Sequence, residues 1–391
     1  MEAYIVKGYR TAVGKAKKGG FKNYRSDDMA VDVIKHLVEQ VPALDPSTVD
    51  DVIVGCANPE GEQGLQVGRL ISARALGIKV PGITINRYCA SGLEAIAMAV
   101  AKIKAGMGQV FIAGGTESMS LIPMTGYKLS PSYKANMENL NYHVSMGATA
   151  EAVAAKYNIS REAADAFSLA SHQKAANAID KGYFEDEIIP ITVEDVYVKD
   201  GKKVNSTHTV AVDEGVRRDT TIEGLAKLRS VFKQGGIITA GNASQTSDGA
   251  AFTLVMSEDK IKELGLSPEA RMVSCAVGGV DPLYMGIGPC EAIPKALGAS
   301  GLKLSDIEQT ELNEAFAVQV VYCRDELGIP MDKLNVDGGS IAIGHPFGMT
   351  GSRLTGHIVR ELQNREQQFG VVTMCVGGGM GAAGLFERYP S

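Results

Sequence analysis

Four short stretches carry side chains suited to covalent chemistry on an activated carbonyl. Cys89 stands in "NRYCASG", where the apolar run "GITIN" (82–86) stops and a helical pattern begins. Asn313 opens "NEAFA" (313–317), His345 lies in "GGSIAIGHPFGMTG" (338–351), and Cys375 and Gly377 lie in "CVGGGMGAA" (375–383). Singly, each has a plainer explanation. A free cysteine is among the most buried residue types, a histidine in a Gly–His–Pro turn can simply bond backbone groups, and glycine clusters turn the chain. Together they describe a nucleophilic site. The unpaired N–H groups of a helix N-terminus favour a thiolate, so the position of Cys89 predicts an ionised sulfur. A histidine can take the thiol proton. A second cysteine, with an ordinary pKa of about 8.5, can both give and accept a proton near neutral pH. Glycine N–H groups can approach a developing oxyanion without obstruction.

These side chains need elements to hold them. "DVIVGCA" (51–57), "GITIN" (82–86) and "QVFIAGG" (109–115) read as buried strands, bounded by glycine or proline. Between the last two, Leu93, Ile96, Ala97, Val100 and Ile103 recur at helical spacing, and Gly106 closes the pattern. The final third repeats the theme: Leu354, Ile358 and Leu362 form a helical stripe ahead of the strand "VVTM". Both ends of the chain run strand, small-residue turn with a reactive side chain, helix, strand, glycine-rich turn. We read an α/β fold of two duplicated β/α halves with mainly parallel sheets packed in layers. The expected division is an N-terminal domain over 1–267 and a C-terminal domain over 268–391, with "SPEARMV" (267–273) as a polar bridge. A loop subdomain over 119–248 interrupts the first, with Ser160 capping its long helix and Gly182 ending it.

Composition excludes several classes. A net charge of −6 lacks the broad basic surface of a nucleic-acid protein, though one local basic cluster suffices for a small anion. Six cysteines without CxxC pairing argue against a disulfide framework or a zinc site and fit reduced thiols. The run Ala95 to Ala101 is far too short for a membrane span, the opening residues enter a strand-like alternation at once, and "RYPS" is not a peroxisomal tripeptide. A cytoplasmic protein that binds no metal, nucleic acid or membrane is expected. Cys56, Cys275, Cys290 and Cys323 read as packing residues.

In order and position, the four stretches resemble the thiolase family, and the likeness runs from "RTAVGK" (10–15) to "GLFE" (384–387), through "GGTESMS" (114–120) and "AGNASQTSDGAA" (240–251). The resemblance implies that Cys89 attacks the 3-oxo carbonyl of a 3-oxoacyl-CoA and is acylated. It makes His345 the base for Cys89, and later an aid to the incoming CoA thiol. Cys375 would protonate the acetyl-CoA enolate. Asn313 would hold a water that forms one oxyanion hole with His345, and the N–H groups of Cys89 and Gly377 would form another. For CoA it implies Arg217 at the nucleotide end and Ser244 at the pantetheine amide, with Met146, Phe232, Ala243, Ala315 and Phe316 along a tunnel. CoA would be a co-substrate with no further cofactor, and a dimer, or else a tetramer, the assembly.

Within the family, enzymes that make acetoacetyl-CoA typically carry His–Met–Gly where this chain has Ser145-Met146-Gly147. The shorter serine leaves room for a longer acyl chain, which points to a 3-ketoacyl-CoA thiolase of fatty-acid β-oxidation. The alternative is a biosynthetic enzyme condensing two acetyl-CoA molecules, with His143 filling the same space. Three other readings fit less well. A dinucleotide fingerprint needs an acidic residue some 20 positions beyond its glycines, and the chain ends first. Decarboxylating condensing enzymes show two histidines where Asn313 and Cys375 stand. A non-catalytic relative is expected to lose one of the three reactive residues.

Overall fold

The computed structural model describes residues 1–389; the last two residues of "RYPS", and so of the expected C-terminal domain, lie outside the described residues. Among the described residues an eleven-stranded sheet has nine strands along its main path, β1 (Ala3–Thr11), β2 (Asp51–Gly55), β3 (Gly82–Ile85), β4 (Val110–Ser118), β5 (Ser247–Ser257), β6 (Ala270–Gly279), β7 (Gln309–Leu312), β8 (Phe369–Val376) and β9 (Met380–Arg388), while the short strands Gly14–Lys15 and Ile188–Ile189 pair with β5 and β1 off that path. Their order is β7-β8-β9-β6-β1-β5-β4-β2-β3. The two halves meet where β1 pairs antiparallel with β6 through Ile5 and Ala270. On one side β2 runs parallel to β3 and β4, and β5 runs against its neighbours. On the other, β7 runs parallel to β8, and β9 runs against its neighbours. A lone parallel bridge from Thr310 to Leu334 stands where β3 stands in the first half. The duplication read from layout is therefore present strand for strand, with one reversed strand in each half.

The principal helices are α1 (Ser26–Glu39), α2 (Val67–Leu76), α3 (Ser91–Lys104), α4 (Met146–Lys156), α5 (Arg161–Asp180), α6 (Gly288–Ser300), α7 (Ala317–Leu327) and α8 (Phe347–Asn364). Strand alternation distributes them into layers. Val52, Val54, Val110 and Ile112 face α1 and α2, whereas Ile53, Phe111 and Ala113 face inward. Val371 and Leu385 face α6 and α7, whereas Val372, Met374 and Phe386 face inward. Leu93 and Ile96 of α3 and Leu354, Ile358 and Leu362 of α8 fill the space between the two half-sheets. These two helices pack at backbone distance. A Cβ on Gly92 would lie 2.6 Å from the Ser352 nitrogen, and one on Gly351 would collide with the Leu93 nitrogen.

The segment before β5 holds α4, α5 and an antiparallel ribbon pairing Ile191–Lys199 with Lys202–Val210. Ser160 caps α5 by accepting from the Ala163 N–H at 3.1 Å, and Gly182 follows the helix with φ +73°. The expected polar bridge at 267–273 is shorter than its composition suggested. β6 begins at Ala270, because Ala270 and Met272 are buried against the central helices. No helix among the described residues is long and apolar enough to cross a membrane.

Buried charge ties the inserted segment to the core. Arg10 on β1 is 2% exposed and donates from Nε to Glu187 at 2.6 Å and bidentately to Asp213 at 2.7 and 2.9 Å. Glu187 also meets His357 Nδ1 at 3.1 Å, and the other ring nitrogen of His357 lies 3.4 Å from Asp337. Burial opposes charge on His357, but the two carboxylates outweigh it and hold the imidazole protonated. His357 thus bridges Glu187 and Asp337, and Glu361 lies close to the same ring.

The linkage has a definite sign. Burial raises Glu187, but Arg10 and then His357 pull it well below the usual carboxylate range. Its stabilisation is present above the unfolded value of about 4.3 and fades as pH falls. His357 is raised, so its stabilisation is complete below about pH 6.5 and fades above it. His357→Gln should flatten the decline in unfolding free energy above about pH 6.5, measured by urea titration at several pH values. Arg10→Met should lower stability by about 3–5 kcal/mol by removing the guanidinium from two buried carboxylates, of which only Glu187 keeps a cationic partner in His357.

Candidate active site

Cys89 is aimed by a tight turn. Tyr88 adopts φ +44°, a left-handed conformation that costs about 1–3 kcal/mol for a bulky residue. Three hydrogen bonds hold it: Tyr88 N–H to Asn86 Oδ1 at 2.8 Å, Arg87 N–H to Ser91 Oγ at 2.9 Å, and Ser91 Oγ–H to the Tyr88 carbonyl at 2.7 Å. The turn delivers Cys89 directly into α3, as its place in the sequence suggested.

The protonation state is different from that expectation. Cys89 is 2% exposed, and burial pushes its thiol up to about 12. The N–H groups of Gly377 and of Cys89 itself act in the other direction, and the Glu117 carboxylate adds to the rise. The resting sulfur is therefore a neutral thiol, because desolvation outweighs the donors around it. The two N–H groups facing this sulfur are the pair that the resemblance assigned to an oxyanion hole.

His345 is also buried and neutral. Burial, then the nearby Arg353 charge, lowers its pKa to about 3. Hydrogen-bond accounting fixes its tautomer. Thr350 Oγ1 donates its only proton to the Pro346 carbonyl at 2.8 Å, so it must accept from His345 Nδ1–H at 2.6 Å. Nε2 then carries the lone pair, and Asn313 Nδ2 faces it at 3.2 Å. Asn313 sits just beyond β7, its N–H bonded to the Thr373 carbonyl of β8 at 2.9 Å. Two residues on, Cys375 is fully buried, its thiol raised by burial and then by the Cys89 sulfur. The sheet thus brings residues from both ends of the chain to one place.

Cys89 and His345 line a cleft of about 750 Å³, open mouth included. Met146, Phe232, Ala243, Ser244, Ala315 and Phe316 line it too, as does Ser145, which caps α4. A bridge from Ala243 to Phe316 and a bond from Ser244 N–H to the Ala315 carbonyl at 2.9 Å stitch two of these walls together. Phe232 packs edge-on against Phe316 at 6.1 Å. Cys375 lies behind the lining rather than in it. Arg217 and His143 are exposed and outside the lining; the Arg217 N–H bonds His172 Nδ1 at 3.1 Å. Neighbouring Arg218 pairs with Asp180 at 2.8 Å.

One supporting residue escaped the sequence reading. Glu117 is 1% exposed and accepts from the N–H groups of Ala57 (2.8 Å), Asn58 (3.2 Å) and Gly348 (2.9 Å) and from Gln63 Nε2 (2.7 Å). It binds the loop after β2 to the first turn of α8, beside the cleft. A carboxylate inside the otherwise small and apolar run "VFIAGGTES" was the available signal.

Comparison with known proteins settles the family. The descriptions "Thiolase, N-terminal domain" and "Thiolase, C-terminal domain" match residues 3–259 and 266–388. The chain belongs to the thiolase family. It is 50% identical to the 3-ketoacyl-CoA thiolase of Bacillus subtilis (strain 168) over 388 residues, covering 99% of each chain. It is 44% identical to the peroxisomal 3-ketoacyl-CoA thiolase A of Mus musculus, covering all of this chain and 91% of the other. Among solved structures, human mitochondrial 3-ketoacyl-CoA thiolase superposes with a TM-score of 0.89 at 37% identity, covering 100% of this chain and 99% of the other. The Bacillus anthracis acetyl-CoA acetyltransferase superposes at 0.88 and 38%, covering 99% of each. The thiolase fold is therefore shared by both subgroups.

A neutral thiol beside a neutral imidazole makes a definite pH prediction. Acylation of Cys89, followed by rapid quench, should stay nearly constant from about pH 5.5 to 8, whereas an imidazole of ordinary pKa would lose half its base near 6.5. A half-point near 6.5 would contradict the buried, neutral His345.

Proposed function

We propose that this thiolase cleaves 3-oxoacyl-CoA with free CoA, giving acetyl-CoA and a shortened acyl-CoA through an acyl-Cys89 intermediate. The observation that carries the reading is the thiol–imidazole pair at the end of an apolar cleft, with a second thiol beside it. Cys89 attacks the 3-oxo carbon as its proton passes to His345 Nε2. The tetrahedral oxyanion meets the Cys89 and Gly377 N–H groups. Its collapse breaks the C2–C3 bond and leaves acyl-Cys89 and the acetyl-CoA enolate. The enolate oxygen is held by the Asn313 amide and the newly protonated His345, directly or through a water, and Cys375 gives its proton to C2. The proton on His345 then replaces the one Cys375 gave, and when CoA attacks the acyl thioester its thiol proton passes to His345 and on to the departing Cys89 sulfur. Over the cycle, one proton moves from the CoA thiol to C2.

Burial of all three titrating groups supports this sequence, since each step separates charge only transiently. The 42–50% identity to curated 3-ketoacyl-CoA thiolases, with Ser145 on the cleft wall, favours thiolysis of longer chains over acetoacetyl-CoA synthesis. Arg217 would meet the nucleotide end of CoA from its exposed loop, and Ser244 the pantetheine; no cofactor beyond CoA is needed. The same reading divides the chain near residue 267, between the helix Glu258–Leu264 and β6. It gives a dimer: β3 is an edge strand whose Ile83 and Ile85 are half-buried, with exposed Leu65, Leu70 and Ile78 nearby in sequence. Six unpaired cysteines suit the reducing cytoplasm.

A thiolysis assay with 3-oxoacyl-CoAs of increasing length and free CoA tests the substrate class. Activity well beyond the shortest substrate is expected, and activity confined to acetoacetyl-CoA would overturn the subgroup. Cys89→Ala should abolish turnover while leaving the melting temperature near that of the wild type. Cys375→Ser should slow turnover at least a hundredfold, on the order of losing a positioned acid, while a burst of Cys89 acylation by an acyl-CoA survives. Equal losses in burst and turnover would refute the division of labour between the sulfurs.

A further inference from the structure

His345 Nε2 is useful only if the group facing it donates, and a carboxamide can present either end. We propose that Ser340, driven by Arg353, is a positioning residue that locks the Asn313 amide with its NH2 toward His345. This rests on the reading of His345 as the base for Cys89.

Arg353 Nη2 lies 3.3 Å from Ser340 Oγ, and Ser340 Oγ lies 2.6 Å from Asn313 Oδ1. A guanidinium can only donate. Ser340 must therefore accept from Arg353 and spend its single proton on Asn313. That bond identifies the Asn313 oxygen and turns Nδ2 toward His345, 3.2 Å away. From His345 Nδ1 the chain continues to Thr350 Oγ1 and ends on the Pro346 carbonyl. Every link donates in one direction, from a cation that cannot accept to a carbonyl that cannot donate.

Burial makes this polarity binding. Ser340 is fully buried, Asn313 is 1% exposed and Arg353 2%, so a reversed amide would set its NH2 against the Ser340 hydroxyl away from bulk solvent. Arg353 has no carboxylate within ion-pair distance among the described residues, and its Nε has no partner. Its bond to Ser340 is the side-chain contact that uses its charge, and that charge also lowers the His345 pKa. With the hydroxyl removed, Asn313 Oδ1 is left unsatisfied and the amide can flip. A flipped amide turns an acceptor toward Nε2, which favours the protonated imidazole and removes the base.

The test compares Ser340→Ala, Ser340→Thr, Asn313→Ala and Ser340→Ala/Asn313→Ala in the full-length protein. S340A should lower kcat for thiolysis about tenfold, the scale of one buried hydrogen bond, with KM changed less than about twofold. Its acid limb should move up toward about pH 6.5. S340T should restore both, and the double variant should be no slower than N313A, since Ser340 acts only through Asn313. Arg353→Lys keeps the charge but withdraws the Nη2 donor, and should move the limb in the same direction by less. The pH profile of Cys89 alkylation by iodoacetamide provides a second readout that needs no substrate. If the wild type failed to cleave 3-oxoacyl-CoA, this profile would still report on the amide. Wild-type kcat and an unshifted profile in folded S340A, or additive losses in the double variant, would overturn the proposal.

Discussion

The structure depends on the contact between α3 and α8. Two helices from opposite ends of the chain cross where neither carries a Cβ, Gly92 against the start of Ser352 and Gly351 against Leu93. Only that approach lets the turn before α3 and the turn before α8 open on the same point, and those turns hold Cys89 and His345. Glu117 reinforces the arrangement by gripping the first turn of α8 through the Gly348 N–H and the loop after β2 through Ala57 and Asn58. A side chain at either glycine would meet the backbone of the other helix and force the two apart.

Burial governs the chemistry that follows. Cys89 and Cys375 are held as thiols and His345 as a neutral imidazole, each by removal from water. These three groups rest uncharged, with N–H donors of Gly377 and Cys89 already facing the Cys89 sulfur. This differs from an exposed reactive cysteine, whose thiolate stands ready for any electrophile. Preorganised donors act most strongly where the dielectric is low.

Much of this was legible in the sequence because the candidate side chains lie inside or beside small-residue turns. Cys89, Asn313, His345 and Cys375 announced themselves by breaking apolar or glycine-rich runs, and Ser160 and Gly182 by local capping rules. The wall residues Met146, Phe232, Ala243, Ser244, Ala315 and Phe316 came from family resemblance and not from pattern. What could not be read was anything set by distance in space. Helix position argued for an ionised Cys89, and burial by strands and helices remote in sequence reversed it. Thr350 and Arg353 look like ordinary helix residues until the fold sets them against His345 and Ser340. Glu117 was visible as an odd carboxylate in a buried strand, but its partners at 57, 58, 63 and 348 come from four different places.

The seam at Ile5 and Ala270 has a further meaning. Because the halves correspond strand for strand about it, Cys89 and His345 occupy matching places, each at the entrance to the inner helix of its own repeat. Glu117 and Cys375 match as well, both at the tips of corresponding strands. An assembly of two identical chains built this way would be obliged to carry the same residue on both sides of its axis: two thiols or two imidazoles, never one of each. Joining the copies into a single polypeptide lifts that obligation, and an unlike pair becomes available to one molecule.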